Sequence, residues 1–531
     1  MFHQELTPVM GSLLWSFLVA VLPIATVLIM LGVLRRPAWQ SSLLGLIVAL
    51  LIAVCVWQLP LPLALQSVAA GAVFAAWPVM WIVVNALLLY NIAVVSGRFD
   101  AFRDWILQHL PNDRRVVLVV IGFCFGCLLE GVSGFGTPVA ITSALLILVG
   151  FPPLEALTFT LIFNTAPVAF GALGAPVTVL GQVTGLSAVT LGAMIGRQLP
   201  FIALILPFYV MGIYGGLRSV RALWPVLLVA GGSFAAAQFI ASNYLDYALT
   251  DVLSSLTSLF VTLLFLRVWS PTPDPQYAVN ARLSTTAQAI PGWQGWVPWI
   301  VVSVVVIAWT HFKIAAIGQH IIPWPHLHNQ IFITLYSKPY AANWTFQPLA
   351  SGTAIFIATL LTSALLGVRP NQFIQAIQTT WTQSRIAILT VALIVGLAYL
   401  MNYSGMNYTL GLGVASVGIF FPFLSAFLGW VAVFLSGSDT SGNALFGNLQ
   451  VVAANQLGLN PVLIAATNSS GGVMGKMISP QNITTGVAVT SLRGQEGAVL
   501  ARTFKHSIIL TLLLGVIVVL QQYVVPWMIP K

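Results

Sequence analysis

The chain has 531 residues, of which 59% are hydrophobic and only 6% charged, with 20 Lys and Arg against 11 Asp and Glu. Soluble globular domains carry roughly 25% charged residues, so a set of soluble domains of this total length would lack the charge to cover its surfaces. The composition is that of a polytopic integral membrane protein.

The opening, MFHQELTPVM, has no basic n-region, and the apolar run after it is long enough to span. It reads as a first transmembrane helix, not a cleaved signal. Apolar runs of spanning length fall at 12–34, 41–58, 63–95, 154–183, 188–214, 222–242, 248–268, 294–311, 349–368, 385–402, 456–486 and 504–528. Two more, 116–150 and 425–455, are interrupted at the middle by Gly/Ser-rich sequence and read as re-entrant hairpins. The expectation is an all-α protein of about 12 spans.

Charge fixes the orientation of such a chain, because cytoplasmic loops collect Lys and Arg. With both termini outside, 15 of the 20 basic residues fall in inner loops and three, Lys313, Lys338 and Lys531, in outer ones. Arg197 and Lys476 lie within predicted spans. The net charge of +9 therefore needs no nucleic-acid partner.

An internal repeat organises the spans. Ser96-Gly97 precedes Ser133-Gly134 by 37 residues, and Ser404-Gly405 precedes Ser441-Gly442 by the same 37. In each half the first pair closes a span and the second sits at a hairpin break; about 30 residues later comes an Asn in a broken span, Asn164 or Asn468. The predicted order is three spans, hairpin and two spans in 1–214, then the same in 294–531 with inverted topology, joined by linker spans in 215–293. The broken spans are 154–183 and 456–486. Inverted repeats with discontinuous helices meeting at the midplane are transporter architecture.

Irregular backbone at membrane depth persists only where protein or a water-filled cavity satisfies it. The first hairpin break, 129–138, contains three glycines, with Thr137 and Pro138 suited to start a helix; the second, 436–443, is equally rich in glycine and capping side chains. The broken spans carry Asn164-Thr165-Ala166-Pro167 and Asn468-Ser469-Ser470-Gly471-Gly472, followed by Lys476. Half-helix N-termini at four such breaks would suit a small carboxylate. The competing explanation is that small residues simply let helices pack closely. Ionisable residues at depth are functional candidates by default, which singles out Glu130 and Asp439 as proton carriers and Lys476 as a fixed positive charge.

Other motifs are weak. Cys124 and Cys127 form one pair without a second and read as small packing residues, with Cys55 leaving the count odd. The run 471–477 departs from a phosphate loop at both Ser470 and Met477. His326 and His328 read as interfacial packing, and Arg197 as a residue snorkelling to an interface. No metal cluster or nucleophile–base set marks an intramembrane enzyme, and no cofactor is expected.

LLEGVSGFGTPVAIT (128–142), NTAPVAFGALGAPV (164–177), FLSGSDTSGNALFGNLQ (434–450) and ATNSSGGVMGKMISPQN (466–482) resemble the signature segments of the lactate permease family. The resemblance extends over most of the chain and is least in 270–293 and 312–348. It implies import of L-lactate, D-lactate and glycolate by proton symport across the bacterial plasma membrane. It also implies membership of a wider ion transporter superfamily with a scaffold, a mobile transport domain and an elevator-like motion, with arm helices near 99–112 and 406–420. Monomer and homodimer are both left open.

The mechanism expected from these readings loads a proton on Glu130 or Asp439 and docks the substrate carboxylate against Asn164, Thr165, Asn468, Ser469 and Lys476. Gly134, Asn443 and Ser470 complete the expected substrate-binding set, and the substrate hydroxyl bonds to Ser133, Thr137 or Ser441. The alternatives are a sodium-coupled carboxylate carrier and a passive anion channel, for which the polar breaks would form a filter.

Overall fold

A computed structural model describes residues 1–32, 34, 36–132, 137–279, 290–488, 490, 492 and 495–530. The chain is a multi-pass helical protein. Three long helical stretches come first, Leu13–Gly32, Ala38–Cys55 and Leu61–Val95; the third leaves helical geometry at Trp77, ahead of Pro78, where a preceding residue is pushed toward extended backbone. Gly97, at φ 75°, ends this stretch in a left-handed turn, and the arm helix Arg98–Gln108 follows.

The first hairpin consists of Arg114–Val132, wholly enclosed by protein, and Thr137–Leu148. Pro153–Phe163 and Val168–Thr184 follow and meet at 64°. Ala172, Leu173 and Gly174 then take left-handed φ values of 45°, 54° and 79°, a conformation costly for the first two and typical of functional sites. Ala188–Leu245 forms one continuous helical run that contains two expected spans. It reverses at Gly216 (φ 64°), so that Gly231 packs on the backbone of Leu204. Tyr247–Phe265 completes the linker.

Val297–His311 and Ser351–Leu365 precede the 35-residue helix Pro370–Ser404, which Gly405 ends at φ 103°; the arm Met406–Ala415 follows. The second hairpin is Gly418–Ser436 and Asp439–Gln456, reversing through Gly437 (φ 70°) and Ser438. Ser441-Gly442 therefore lies in the first turn of the outgoing arm and not at the break itself. Pro461–Lys476, Pro480–Ala488 and Glu496–Tyr523 close the chain.

Three expectations need correction. Nine stretches among the described residues are long and apolar enough to cross a bilayer, or ten counting the bent pair, against twelve expected, and two of the nine, Arg114–Val132 and Gly418–Ser436, lie in the segments expected as hairpins. Two expected spans share the run Ala188–Leu245, while Val297–His311 and Ser351–Leu365 have 15 residues each, about 22 Å of helix against a core of about 30 Å. Secondly, the chain is not purely helical. Phe2–His3 pairs in parallel with Ile331–Ile333, which pairs with Lys338–Pro339; His320–Pro323 pairs antiparallel with Asn343–Phe346. Thirdly, Asn468 lies inside a continuous helix, and the break comes later, at 477–479. The glycines around Asn468 serve packing instead: a Cβ at Gly471 would lie 2.1 Å from the Ala426 carbonyl, at Gly475 2.2 Å from that of Trp430, and at Gly429 2.0 Å from that of Asn468.

The loops sort into two ends. At one, Arg98 bonds the Leu366 carbonyl, Arg114 those of Gly150 and Gln276, Arg115 pairs with Asp113, and Arg502 lies 3.6 Å from Glu155. The N-terminal strand joins the 312–348 loop, and Gln4 bonds the carbonyls of Asn402 and Tyr403. Thr310 meets Asp246, and Arg197 bonds Asn243 and the Met528 carbonyl. Arg197 thus anchors a helix junction.

Gly471→Ala is expected to destabilise the protein by about 1–3 kcal/mol through overpacking. Gly497→Ala, where a Cβ meets nothing within 4 Å, should be neutral or slightly stabilising; thermal unfolding of both variants in detergent checks this.

Candidate substrate and proton site

Glu130 stands near the end of the first hairpin's incoming arm, buried, and is met from two directions. Lys476, the last residue of Pro461–Lys476, places Nζ 2.5 Å from Oε1, and Asn164, which caps Pro153–Phe163, donates from Nδ2 to Oε2 at 3.0 Å. A Cβ at Gly171 would lie 2.9 Å from Oε1, so the residue just ahead of the left-handed turn has no side chain where the carboxylate needs room.

Asp439 opens the second hairpin's outgoing arm. Its Oδ2 accepts from Ser469 Oγ at 2.5 Å and from Asn443 Nδ2 at 3.2 Å, while Oδ1 has no hydrogen-bond partner among the described residues. Gly472 makes that position available, since a Cβ there would lie 2.4 Å from Oδ1. Asn443 also donates to the Pro176 carbonyl and accepts from Asn468, which in turn accepts from Gln450; Ser425 donates to Gln450. This buried polar network ties the second hairpin to the first broken span. Its satisfied members rigidify one another.

Between the two carboxylates lies a cavity of about 40 Å³, lined by Glu130, Val168, Gly171, Ala172, Pro176, Gly437, Ser438, Asp439, Thr440 and Lys476. It has room for a few waters. A second cavity, of about 860 Å³, extends toward the 312–348 loop along Thr178, Gln182, Tyr399, Asn402, Tyr403 and Asn448. The helix Val168–Thr184 borders both cavities. At the rim near the 312–348 loop Tyr340 packs at a tilt against Tyr403 with ring centroids 4.3 Å apart, and burial pushes its phenol up to about 12, leaving it a neutral hydroxyl.

The expected residues are thus only partly gathered. Glu130, Asn164, Asp439, Asn443, Asn468, Ser469 and Lys476 come together. Ser441 is buried one turn into the outgoing arm. Thr165 and Ser470 do not join them: the Thr165 hydroxyl bonds back to the Ile162 carbonyl at 2.7 Å, and Ser470 bonds Gln198 at 2.7 Å, because adjacent helix positions face different ways. Ser133, Gly134 and the Thr137 side chain lie outside the described residues. Gln198, Gln450 and Asp251 belong to the neighbourhood and were not singled out by sequence. Asp251 could have been found as a lone carboxylate in an apolar linker span. The cysteines are free; Cys124 and Cys127 are buried, and Cys124 lies 3.2 Å from the Ser258 hydroxyl.

Breaking a buried ion pair from one side typically costs about 3–5 kcal/mol, because the remaining charge is stranded. Lys476→Met alone should therefore lower the unfolding temperature in detergent more than Lys476→Met combined with Glu130→Gln.

The family profile described as "L-lactate permease" matches residues 16–525. Glycolate permease GlcA of Escherichia coli (strain K12) is 42% identical, covering 97% of both chains. The L-lactate permease of Salmonella typhimurium (strain LT2) is 41% identical over 98% of both, and that of Bacillus subtilis (strain 168) 40% identical over 99% of both. Among solved structures, the Alcanivorax borkumensis YdaH transporter aligns with 88% of this chain and 89% of its own, at 15% identity and a TM-score of 0.46. MtrF of Neisseria gonorrhoeae aligns with 86% and 83%, at 14% identity and a TM-score of 0.45. With a full-length family match and relatives above 40% identity, the chain belongs to the L-lactate permease family.

Proposed function

We propose that the chain is a secondary active transporter importing small 2-hydroxy monocarboxylates, L-lactate, D-lactate and glycolate, by proton symport across the bacterial inner membrane. The names of its relatives support the substrate class. The observation that carries the coupling is the Lys476–Glu130 pair beside a small cavity. Lys476 is the cation available to a substrate carboxylate there, and Glu130 already occupies it. Substrate can take Lys476 only if Glu130 lets go, and a buried Glu130 without its partner is far cheaper protonated than charged. One proton then accompanies each anion. No net charge moves, so a pH gradient alone drives uptake.

In this reading Asn164, Asn468 and Ser469 help hold the carboxylate, and Ser133, Thr137 or Ser441 bonds the substrate hydroxyl. Asp439, held by Ser469 and Asn443, is the second candidate proton carrier. The repeated element order supports two inverted repeats around a linker, with re-entrant hairpins that move, elevator-like, against the long helices. The arginine-rich end is assigned to the cytoplasm and the 312–348 loop to the outside, so the larger cavity is an outer vestibule. Every residue named comes from one chain, and the site needs no second copy.

Uptake of labelled L-lactate and glycolate into proteoliposomes tests this. An inward proton gradient should drive accumulation, and Glu130→Gln should abolish that accumulation with counterflow exchange still measurable. Sodium-dependent current at constant pH would replace the proton with sodium, and flux without saturation or uphill accumulation would point to a channel.

A further inference from the structure

Asp251 lies in the first turn of Thr250–Phe265, in the linker and outside both repeats. It is completely buried, and neither carboxyl oxygen has a hydrogen-bond partner among the described residues. The segment packs on the first hairpin so closely that a Cβ at Gly131 would lie 2.6 Å from the Asp251 Cβ. Gly131 directly follows Glu130. The titratable groups facing Asp251 are Glu130 and Cys127 from that hairpin and, beyond Glu130, Lys476; the packed helix Gly171–Thr184 brings none. Five residues earlier, Asp246 is partly exposed, its Oδ2 accepting from Thr310 Oγ1 at 2.6 Å. The linker therefore carries one carboxyl at the surface and one in the interior, the second beside Glu130.

A charged, unpartnered carboxylate at such depth is the costliest arrangement a protein can hold, and a neutral acid is far cheaper. Packing alone would be served by Asn or Leu.

We propose that Asp251 is a proton-binding carboxyl of the carrier, loaded from the side of Asp246, which passes its proton to Glu130 as substrate takes Lys476. This rests on the symport reading above. With Lys476 paired to Glu130, the proton resides on Asp251. When the substrate carboxylate replaces Glu130 at Lys476, the Asp251 O–H bond breaks and the proton bonds to a Glu130 oxygen. Asp251 is then reprotonated from outside water. In the empty state the charges are Lys476 positive, Glu130 negative and Asp251 neutral; in the loaded state they are Lys476 positive, substrate negative and both carboxyls neutral. The interior carries no net charge in either state.

The test combines infrared spectroscopy with transport by the full chain in proteoliposomes. The wild type should show the carbonyl band of a protonated buried carboxylic acid at neutral pH, and Asp251→Asn should lose the component that Asp251 contributes. Asp251→Asn should also lower the ratio of gradient-driven lactate uptake to counterflow, and Asp251→Glu should restore gradient drive with a shifted pH profile. A band whose intensity is unchanged in Asp251→Asn relative to wild type, with Asp439→Asn as the control that identifies any component from Asp439, or a gradient drive equal to wild type in Asp251→Asn, overturns the proposal. Should Asp251→Asn fail to fold, a folded Asp251→Glu with an unchanged pH profile overturns it equally. If wild type transports neither lactate nor glycolate while the band behaves as expected, the symport reading fails and the proton assignment to Asp251 stands.

Discussion

An ammonium and a carboxylate buried together stabilise each other, because burial strips most of the water from both. Lys476 and Glu130 meet under that constraint, and much of the surrounding structure makes the meeting possible. Glu130 needs the first hairpin to carry it inward, and Gly171 to leave space beside it. Lys476 needs a helix that ends at the same depth, close against the second hairpin. The glycines at 429, 471 and 475 allow that approach by bringing backbones together. Larger side chains there would hold the helices apart and withdraw the ammonium from its partner.

The same constraint explains why broken helices are tolerated. Asn164 at the first break spends its amide on Glu130, and the reversal at Gly437 and Ser438 opens a helix whose first residue is Asp439. Each carboxylate takes its donors from side chains of neighbouring segments, Glu130 from Asn164 and Lys476, and Asp439 from Ser469 and Asn443. Under the proposed mechanism this economy is also the coupling. A substrate anion competes for a cation already in use, and the displaced carboxylate must be neutralised by a proton. Asp251, with no donor among the described residues, would supply that proton from the adjacent helix.

The break-bearing segments read from sequence lie around one cavity in the fold, for a physical reason. Gly, Ser, Asn and Pro in an apolar run are local signals, and a chain that interrupts a spanning helix must shelter the interruption. The connecting helices after Gly97 and Gly405 were expected from the family resemblance, and the left-handed glycines mark where they begin. The second broken span misled because Asn-Ser-Ser-Gly-Gly has the composition of a break and yet forms close-packed helix. Composition does not distinguish a glycine that turns the backbone from one that admits a neighbour. The 15-residue helices were read as full spans because apolar runs do not show where hydrogen bonding stops.

Alone, the sequence determined the membrane environment, through hydropathy; the end of the molecule where the arginines gather, through charge; and the buried ionisable candidates Glu130, Asp439 and Lys476, through their rarity in apolar segments. Tertiary structure decided which of them touch. It paired Lys476 with Glu130 across 346 residues of chain, turned Ser470 toward Gln198 and Ser469 toward Asp439, and brought Asp251 from the linker against the first hairpin. Partnership is a property of helix rotation and depth, and both are set by packing between segments far apart in the chain, which no local pattern encodes.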